Sequence, residues 1–459
     1  MFTIAIFLAI TLSRAVLAVR GQWPLVDPLS TDSDPAGHPN IASRLEITSS
    51  ANTTLFCARD GDTSESGYVH FTNSLGIEDK HMFWCPCRLV AGDDGNGTAI
   101  PSNNSWMRDF NVLAIDHPVG VGYSYGEPVS LRNSSARAAW DVDDFLQAFW
   151  ANYPELAKNK FVIQSASYGG TYIPHIVNTI LERNHEAKSL SRSRSSRFLK
   201  MPDSAVMGNI WSDIATNFRW FVKSNCDDIG VFNASACTAL VSSLPACLDA
   251  VELALEQPTL SNKRDVYVNC REMMEFKTKN AKNPYDVRYN CTRDDCFPQH
   301  EWMSRVGNSS EIRKATGVPD WVDYKYLAHD TIGALFDKNG DHMQQAYKLL
   351  APAINAGMRL LVYNGNTDGV CAWRSNLAWM KLLKTRHQDA FREARAVIYP
   401  GVGWFQKVGA GGAGEYTFLS IKDAGHFVEW DQQAIFQEFL VKWVANEPFT
   451  TSGEVVDDI

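Results

Sequence analysis

The sequence predicts an α/β fold in which a mostly parallel central sheet is covered by helices on both faces. Short apolar runs bounded by turn residues indicate buried strands, and amphipathic patterns between them, such as residues 139–150, indicate helices. Strands that alternate with helices in this way are typical of parallel sheets. The predicted strands begin at Asn111, Phe161, Ala205, Arg359 and Thr417.

A cysteine-rich insertion interrupts the alternation over residues 212–323. We interpret it as a disulfide-rich helical cap over the carboxyl edge of the sheet, where ligands bind in such folds. The core then has two parts, 19–211 and 324–446, followed by a polar tail, 447–459. The spacings do not match a zinc site and leave the disulfide pairing open. Six of the ten cysteines lie in the insertion: Cys226, Cys237, Cys247, Cys270, Cys291 and Cys296.

The N-terminal segment, residues 1–18, is predicted to be a signal peptide because it is short and apolar and ends at the small residue Ala18. No later stretch is expected to cross a bilayer, so no stable membrane insertion is predicted. Frequent cysteines and glycosylation sequons indicate the secretory pathway, with an extracellular or vacuolar destination. The sequon asparagines are Asn52, Asn96, Asn103, Asn133, Asn233, Asn290 and Asn308.

The formal net charge of −9 argues against nucleic acid as a partner, because phosphate backbones attract basic surfaces. Nothing in the sequence indicates a metal ion or an organic cofactor.

Three polar residues follow predicted strands in the order serine, acid, histidine. Ser167 stands on a sharp turn between a strand and a helix, Asp368 follows the strand that begins at Arg359, and His426 follows the strand that begins at Thr417. Each alone is typical of a loop or a helix cap. Their shared order and position favour the triad of an α/β-hydrolase, with Ser167 as nucleophile, His426 as base and Asp368 as the group that orients the imidazole.

The motifs around these residues resemble those of the serine carboxypeptidase family, of the carboxypeptidase Y type. Ser-Ala-Ser-Tyr-Gly-Gly-Thr-Tyr-Ile-Pro at 165–174 resembles the family's Gly-Glu-Ser-Tyr block, and 111–125 resembles its Asp-Gln-Pro strand and turn. Residues 283–288 resemble a segment of the family's cap. Residues 364–371 and 424–426 resemble its acid and histidine blocks.

This resemblance covers nearly the whole chain after residue 18. It implies an α/β-hydrolase fold, release of C-terminal amino acids from peptides or proteins, and chemistry that needs no cofactor. It carries the triad roles to Ser167, Asp368 and His426, and it places Cys371 near the site.

One block of the family's pattern is missing from this chain. The turn Gly-Gly-Pro-Gly-Cys-Ser-Ser is absent, and the join falls near residues 84–86. The backbone N–H of Tyr168 is expected to be one oxyanion donor, but the family's second donor lies in the missing turn. Losing one such donor costs roughly a hundred- to a thousandfold in rate.

The position just before the nucleophile also departs from the family. There Ala166 replaces a glutamate that helps to hold the substrate's terminal carboxylate, so the substrate-binding residues are not predicted. We therefore expect impaired peptidase activity. A central strand is lost with the missing block too, which would leave strand edges unpaired unless another segment fills the gap, and reduced stability is expected.

Two other functions stay open from the sequence. The first is an esterase or acyltransferase on the same fold, because loss of the carboxylate site removes what makes this active site an exopeptidase. The second is a non-catalytic secreted glycoprotein that binds partners through its cap.

Overall fold

A computed structural model describes residues 3–8, 41–51, 64–73, 79–85, 104–189, 197–274, 282–291, 296 and 299–456. Its centre is a twelve-stranded sheet in the order β12-β13-β14-β11-β8-β7-β1-β5-β4-β3-β2, with β6 paired to β4. The six inner strands are parallel: β1 (Thr3–Leu8), β5 (Asn111–Ile115), β7 (Lys160–Ala166), β8 (Ser204–Gly208), β11 (Arg359–Gly365) and β14 (Tyr416–Ile421).

Antiparallel strands flank this parallel centre. They are β2 (Ile41–Ala51), β3 (Ser64–Asn73), β4 (Asp79–Cys85) and β6 (Tyr125–Gly126) on one side, and β12 (Val397–Tyr399) and β13 (Gly403–Val408) on the other. All five strands predicted from the apolar runs lie in the parallel centre, which confirms the predicted fold class.

Strand β1 fills the central position of the strand that is lost with the missing block. It pairs in parallel with β5 on one side and with β7 on the other, and Ile4 stands opposite both Asn111 and Phe161. Another segment thus fills the gap, and the edges of β5 and β7 that face it are paired. Residues 3–8 belong to the predicted signal peptide, and its cleavage point at Ala18 lies outside the described residues. Cleavage there would remove a central strand from the sheet.

The helices bury the two faces of the sheet against separate cores. Consecutive residues of a strand point to opposite faces, so Ile163 packs on the face covered by α1 (Ser135–Asn152) and α2 (Gly169–Ser189), while Val162 packs on the other. The second face is covered by α14 (Gln433–Ala445). Both faces of a parallel sheet must be covered in this way, which explains the continuous apolar strands.

The cysteine-rich insertion forms helices with a core of their own, built around Phe218, Leu240 and Val251. Its elements are α3 (Ile214–Val222), α4 (Ala234–Glu256), α5 (Leu260–Asn269), α6 (Arg271–Met274), β9 (Lys282–Asn283), β10 (Asp286–Asn290), α7 (Gln299–Gly307) and α8 (Ser310–Thr316). The disulfides that the sequence left open are Cys226–Cys237, Cys247–Cys270 and Cys291–Cys296.

The chain then returns to the core. This part holds α9 (Ala334–Asn339), α10 (Ala351–Asn355), α11 (Trp373–Leu382), α12 (Gln388–Glu393) and α13 (Val428–Asp431), besides the strands and α14 given above.

Helix α4 is long and apolar enough to cross a membrane by length and composition, so the expectation that no later stretch reaches that threshold is wrong. Two disulfides, through Cys237 and Cys247, tie this helix to neighbouring parts of the cap. Leu240 and Val251 lie in the cap's core, whereas Val241 and Leu253 are exposed. The structure thus uses α4 as the central helix of the cap.

Four of the seven sequon asparagines lie in the described part of the chain. Asn233, Asn290 and Asn308 are exposed and Asn133 is partly buried. The other three, Asn52, Asn96 and Asn103, lie outside the described residues.

Proline at Ile6 is expected to destabilise the protein strongly. A residue in a strand paired on both sides gives its N–H to a neighbouring strand, and proline has no N–H to give. We expect Ile6→Pro to lower the free energy of unfolding by about 1–3 kcal/mol, the cost of an unpaired buried acceptor, or to drive the chain into aggregates. Urea denaturation and size-exclusion chromatography measure both effects.

The matched control is Ile6→Val, which keeps the backbone N–H and should be more stable than Ile6→Pro. Equal stability of Ile6→Pro and Ile6→Val would show that residues 3–8 do not form a central strand.

Candidate active site

Ser167 lies on the turn that joins β7 to α2, with a left-handed backbone φ of 55°. Its N–H donates to Gly208 O at 2.9 Å, and its own carbonyl accepts from Trp211 N at 2.9 Å. A non-glycine residue with positive φ is strained, and such strain persists only where surrounding contacts hold it. This is the geometry of a nucleophile elbow, which raises the serine above the edge of the sheet.

The glycine after the elbow is required by close packing. A Cβ atom at Gly169 would lie 2.2 Å from the Oγ atom of Ser165. Ser165 stands where the family has glycine, and it is accommodated because Gly169 has no side chain. The departure from Gly-x-Ser-x-Gly at Ser165 is therefore compatible with the elbow.

Asp368 and His426 form a buried hydrogen-bonded pair. His426 Nδ1 lies 2.7 Å from Asp368 Oδ2, and both side chains are fully buried. His426 Nε2 is also buried, and no described residue hydrogen-bonds to it. Catalytic hydrogen bonds are often long before substrate binds. The structure thus brings Ser167, Asp368 and His426 to one edge of the sheet. Asp368 and His426 are hydrogen-bonded to each other there.

Asn209 is a residue of this site that the sequence analysis missed. It directly follows β8, has a φ of 43°, and donates from Nδ2 to Asp368 Oδ2 at 2.8 Å. Its Oδ1 accepts from Gly365 N at 2.9 Å. Asp368 Oδ1 accepts from the backbone N–H of Val370 at 2.8 Å. Hydrogen bonds therefore fix both oxygens of the Asp368 carboxylate, and Oδ2 faces the imidazole of His426.

Only its position in the sequence could have indicated Asn209, because it follows a predicted parallel strand and so lies at the same sheet edge as Ser167.

Segment 283–288 of the cap is hydrogen-bonded to the loops that carry Asp368 and His426. Tyr285 O accepts from His426 N at 2.7 Å, and Pro284 O accepts from Gly369 N at 3.0 Å. Arg288 Nη1 donates to Asp423 O at 2.7 Å. The segment thus holds the acid loop and the histidine loop in one arrangement.

The same contact explains the glycine before the histidine. A Cβ atom at Gly425 would lie 2.4 Å from Tyr285 O, so a side chain there would push the cap segment away.

Tyr168 anchors the elbow from the opposite side. Its hydroxyl donates to Asp341 Oδ2 at 2.7 Å, and Asp341 also accepts from Ser135 N at 2.9 Å. Burial and the nearby Asp341 carboxylate raise the pKa of Tyr168 well above its usual range. Tyr168 therefore stays protonated and connects the elbow to the start of α1.

Cys371 lies beside the pair, as the family resemblance implied. Its N–H donates to Asp368 Oδ1 at 3.2 Å. The ligand atoms of Asp368, Cys371 and His426 lie within 4.8 Å of one another, close enough to hold a metal ion. Burial, and secondarily Asp368, raise the pKa of the Cys371 thiol well above its usual range. The Cys371 thiol is therefore protonated at neutral pH.

Ala166 is the last residue of β7 and is fully buried. It has no polar atom beyond its backbone, so the carboxyl that the family places just before the nucleophile is absent. The join near 84–86 is described only up to Cys85.

Asp116 and His117 follow β5 at the same edge of the sheet and have opposite pKa shifts. Burial raises the pKa of Asp116 to about 7 and lowers the pKa of His117 to about 4. Neither ring nitrogen of His117 has a hydrogen-bond partner among the described residues. At neutral pH the folded chain therefore holds a neutral imidazole in its interior, at the position where the family has glutamine.

Comparison of the sequence with known proteins finds one family and several relatives. The profile of the serine carboxypeptidase family, peptidase S10, matches residues 84–446. Carboxypeptidase Y of Candida albicans is 29% identical over 369 residues, which cover 77% of this chain and 63% of that protein. Carboxypeptidase Y homolog A of Sclerotinia sclerotiorum is 30% identical over 360 residues, with the same coverage of 77% and 63%. The chain thus spans less than two thirds of these relatives.

Among solved structures, the chain is similar to KEX1(DELTA)P, a prohormone-processing carboxypeptidase from Saccharomyces cerevisiae. The TM-score is 0.66 at 16% sequence identity, over 91% of this chain and 94% of that one. This likeness confirms the α/β-hydrolase fold.

Replacing His117 by glutamine is expected to stabilise the protein in acid. Below pH 6.5 the unfolded chain binds a proton on His117 that the folded chain does not bind until about pH 4. The wild type therefore loses stability as the pH falls through this window. The free energy of unfolding of His117→Gln should rise relative to wild type by about 1.4 kcal/mol per pH unit.

Urea denaturation at about pH 7, 5.5 and 4.5 measures this difference. Asp116→Asn is the control of opposite sign, because the folded wild type keeps a proton on Asp116 up to about pH 7. Its stability relative to wild type should rise as the pH rises from about 4 to 7. Parallel curves for wild type and His117→Gln would contradict the burial of a neutral imidazole.

Proposed function

Because this chain belongs to the serine carboxypeptidase family, we propose that it hydrolyses C-terminal peptide bonds with Ser167, His426 and Asp368 as its triad. The observation that carries the proposal is the buried bond of 2.7 Å between His426 and Asp368, at the sheet edge where Ser167 stands on its elbow. Family membership supports the proposed reaction, and the buried pair supports the proposed roles of His426 and Asp368.

The steps follow from the atoms present. Ser167 Oγ attacks the carbonyl carbon of the last peptide bond, and its proton passes to His426 Nε2. Asp368 Oδ2 accepts the hydrogen of Nδ1 and so orients the ring. The imidazolium then gives its proton to the leaving amino acid, and water releases the acyl group by the same route in reverse. The N–H of Tyr168 is the proposed donor to the oxyanion.

The activity of this chain is proposed to be low. Ala166 provides no carboxyl for binding the substrate's terminus, and the glycine-rich turn that carries the second oxyanion donor in the family is absent from the sequence. Strand β1 occupies the position of the missing strand, and residues 9–20, which follow it in the sequence, contain no glycine-rich motif. One absent donor lowers the rate by roughly a hundred- to a thousandfold.

The proposed setting is the secretory pathway, with an extracellular or vacuolar destination. Three disulfides in the cap support an oxidising compartment. The proposed substrates are the C-termini of peptides or proteins, and neither nucleic acid nor stable membrane insertion is part of the proposal.

Ala166 favours a second candidate, an esterase. Ester hydrolysis does not require the enzyme to bind a free carboxylate, and the alcohol of an ester leaves more readily than an amine. The same triad would then act on substrates that lack a C-terminal carboxylate.

Parallel assays should separate these activities. We expect slow hydrolysis of an N-blocked dipeptide by the wild type, about a hundred- to a thousandfold below a family member with both donors, and none by Ser167→Ala. A p-nitrophenyl ester assayed beside it tests the esterase. Labelling by a fluorophosphonate probe reports whether Ser167 reacts at all.

Full family-level turnover would contradict the proposed impairment. Ester hydrolysis without dipeptide hydrolysis would favour the esterase. Absence of both turnover and Ser167 labelling, in a chain that is folded, would favour the non-catalytic binding glycoprotein.

Asn209→Ala is expected to slow labelling of Ser167 by about tenfold, because it frees Asp368 to turn away from His426. The control is Asn366→Ala, because Asn366 is an exposed asparagine on the loop that carries Asp368. Rates of fluorophosphonate labelling of the two variants give the comparison. Equal rates would show that Asn209 does not position Asp368.

A further inference from the structure

The outer antiparallel strands carry a second cluster of polar side chains, His70, Asp79 and His81. In the pairing of β3 with β4, His70 stands directly opposite His81. Asp79 and His81 are two residues apart on β4, so their side chains share one face of the sheet with His70. Lys80 lies between them and points to the opposite face, where it is fully buried against Asp141 at 2.5 Å.

One carboxylate oxygen of Asp79 lies close to both imidazole rings. Asp79 Oδ1 lies 2.7 Å from His70 Nε2 and 3.2 Å from His81 Nε2, and the three ligand atoms lie within 4.8 Å of one another. Ligand atoms of a tetrahedral zinc ion with bonds of 2.0–2.1 Å stand about 3.3 Å apart. To surround such an ion, the three ligand atoms must reach this spacing, and the two nearly parallel rings, 7° apart, must tilt toward each other.

The surrounding residues hold the cluster in place. His81 is stacked between His70, with ring centroids 4.2 Å apart, and Tyr125, with centroids 4.4 Å apart. The N–H of Asp79 donates to Ser130 Oγ at 3.1 Å. These contacts keep the three side chains together, and an ion would have to tilt the stacked rings to bind both Nε2 atoms.

The cluster is also open to solvent. The side chains of His70, Asp79 and His81 are 25%, 52% and 16% exposed. A metal ion can therefore enter from water, and water can complete its coordination.

We propose that His70, Asp79 and His81 bind a divalent transition-metal ion of the zinc(II) class, which joins β3 to β4. Two imidazole nitrogens and one carboxylate oxygen suit zinc and its neighbours, whereas magnesium and calcium prefer oxygen ligands alone. Each ring binds through Nε2 once its hydrogen lies on Nδ1, and the stacked rings tilt so that their lone pairs converge.

The site is separate from the proposed triad, because its three residues lie on the outer hairpin. The sequence indicated no metal because the spacing of His70 and His81 fits no zinc motif. Only the strand register brings them together.

Isothermal titration of the full chain with zinc chloride, after removal of metal by a chelator, tests the proposal. We expect a single zinc ion per chain and a thermal midpoint that rises with zinc. His70→Phe and His81→Phe keep a stacking ring but lose a ligand nitrogen, and they should bind zinc at least about a hundredfold more weakly. The matched control, His185→Asn, removes an exposed histidine of α2 and should bind zinc as the wild type does.

If a phenylalanine variant does not fold, Asp79→Asn keeps the shape of the side chain and should also weaken binding. Absence of zinc binding by the wild type would overturn the proposal. Undiminished binding by His70→Phe, His81→Phe and Asp79→Asn would do so too. So would loss of binding in His426→Gln, because the ion would then lie beside Asp368 and Cys371.

Discussion

Backbone pairing along β1 is the interaction on which the rest of the structure depends. The strand lies between β5 and β7, so both halves of the parallel sheet meet on it. Unpaired N–H and C=O groups inside a sheet are costly when buried. The elbow at Ser167 follows β7 directly, and its position therefore relies on the ladder that β1 completes. The ladder therefore shows that residues 3–8 can occupy the position of the missing strand.

Much of the fold and site could be predicted because the signals are local. A serine, an acid and a histidine each follow an apolar run, and parallel strands bring such positions to one edge. The role of residues 3–8 could not be predicted in the same way. A signal peptide and a parallel strand are both short continuous apolar runs, so the run alone does not indicate that residues 3–8 pair with β5 and β7. The signal peptide over residues 1–18 stays a prediction.

Contacts between distant segments explain what else the sequence did not reveal. Asn209 holds Asp368 across 159 positions, and Asp341 receives Tyr168 across 173. Their residue types are ordinary for loops, so neither stands out in a linear reading. The cysteine pairing was open for the same reason. The five-residue separation of Cys291 and Cys296 has no more weight in the sequence than other spacings.

Segment 283–288 couples the cap to the loops of Asp368 and His426. Its residues Tyr285, Pro284 and Arg288 are hydrogen-bonded to both loops. A swinging movement of this segment would pull the histidine loop with it and draw His426 away from Asp368. Motion of the cap at this point and alignment of that buried pair are therefore coupled.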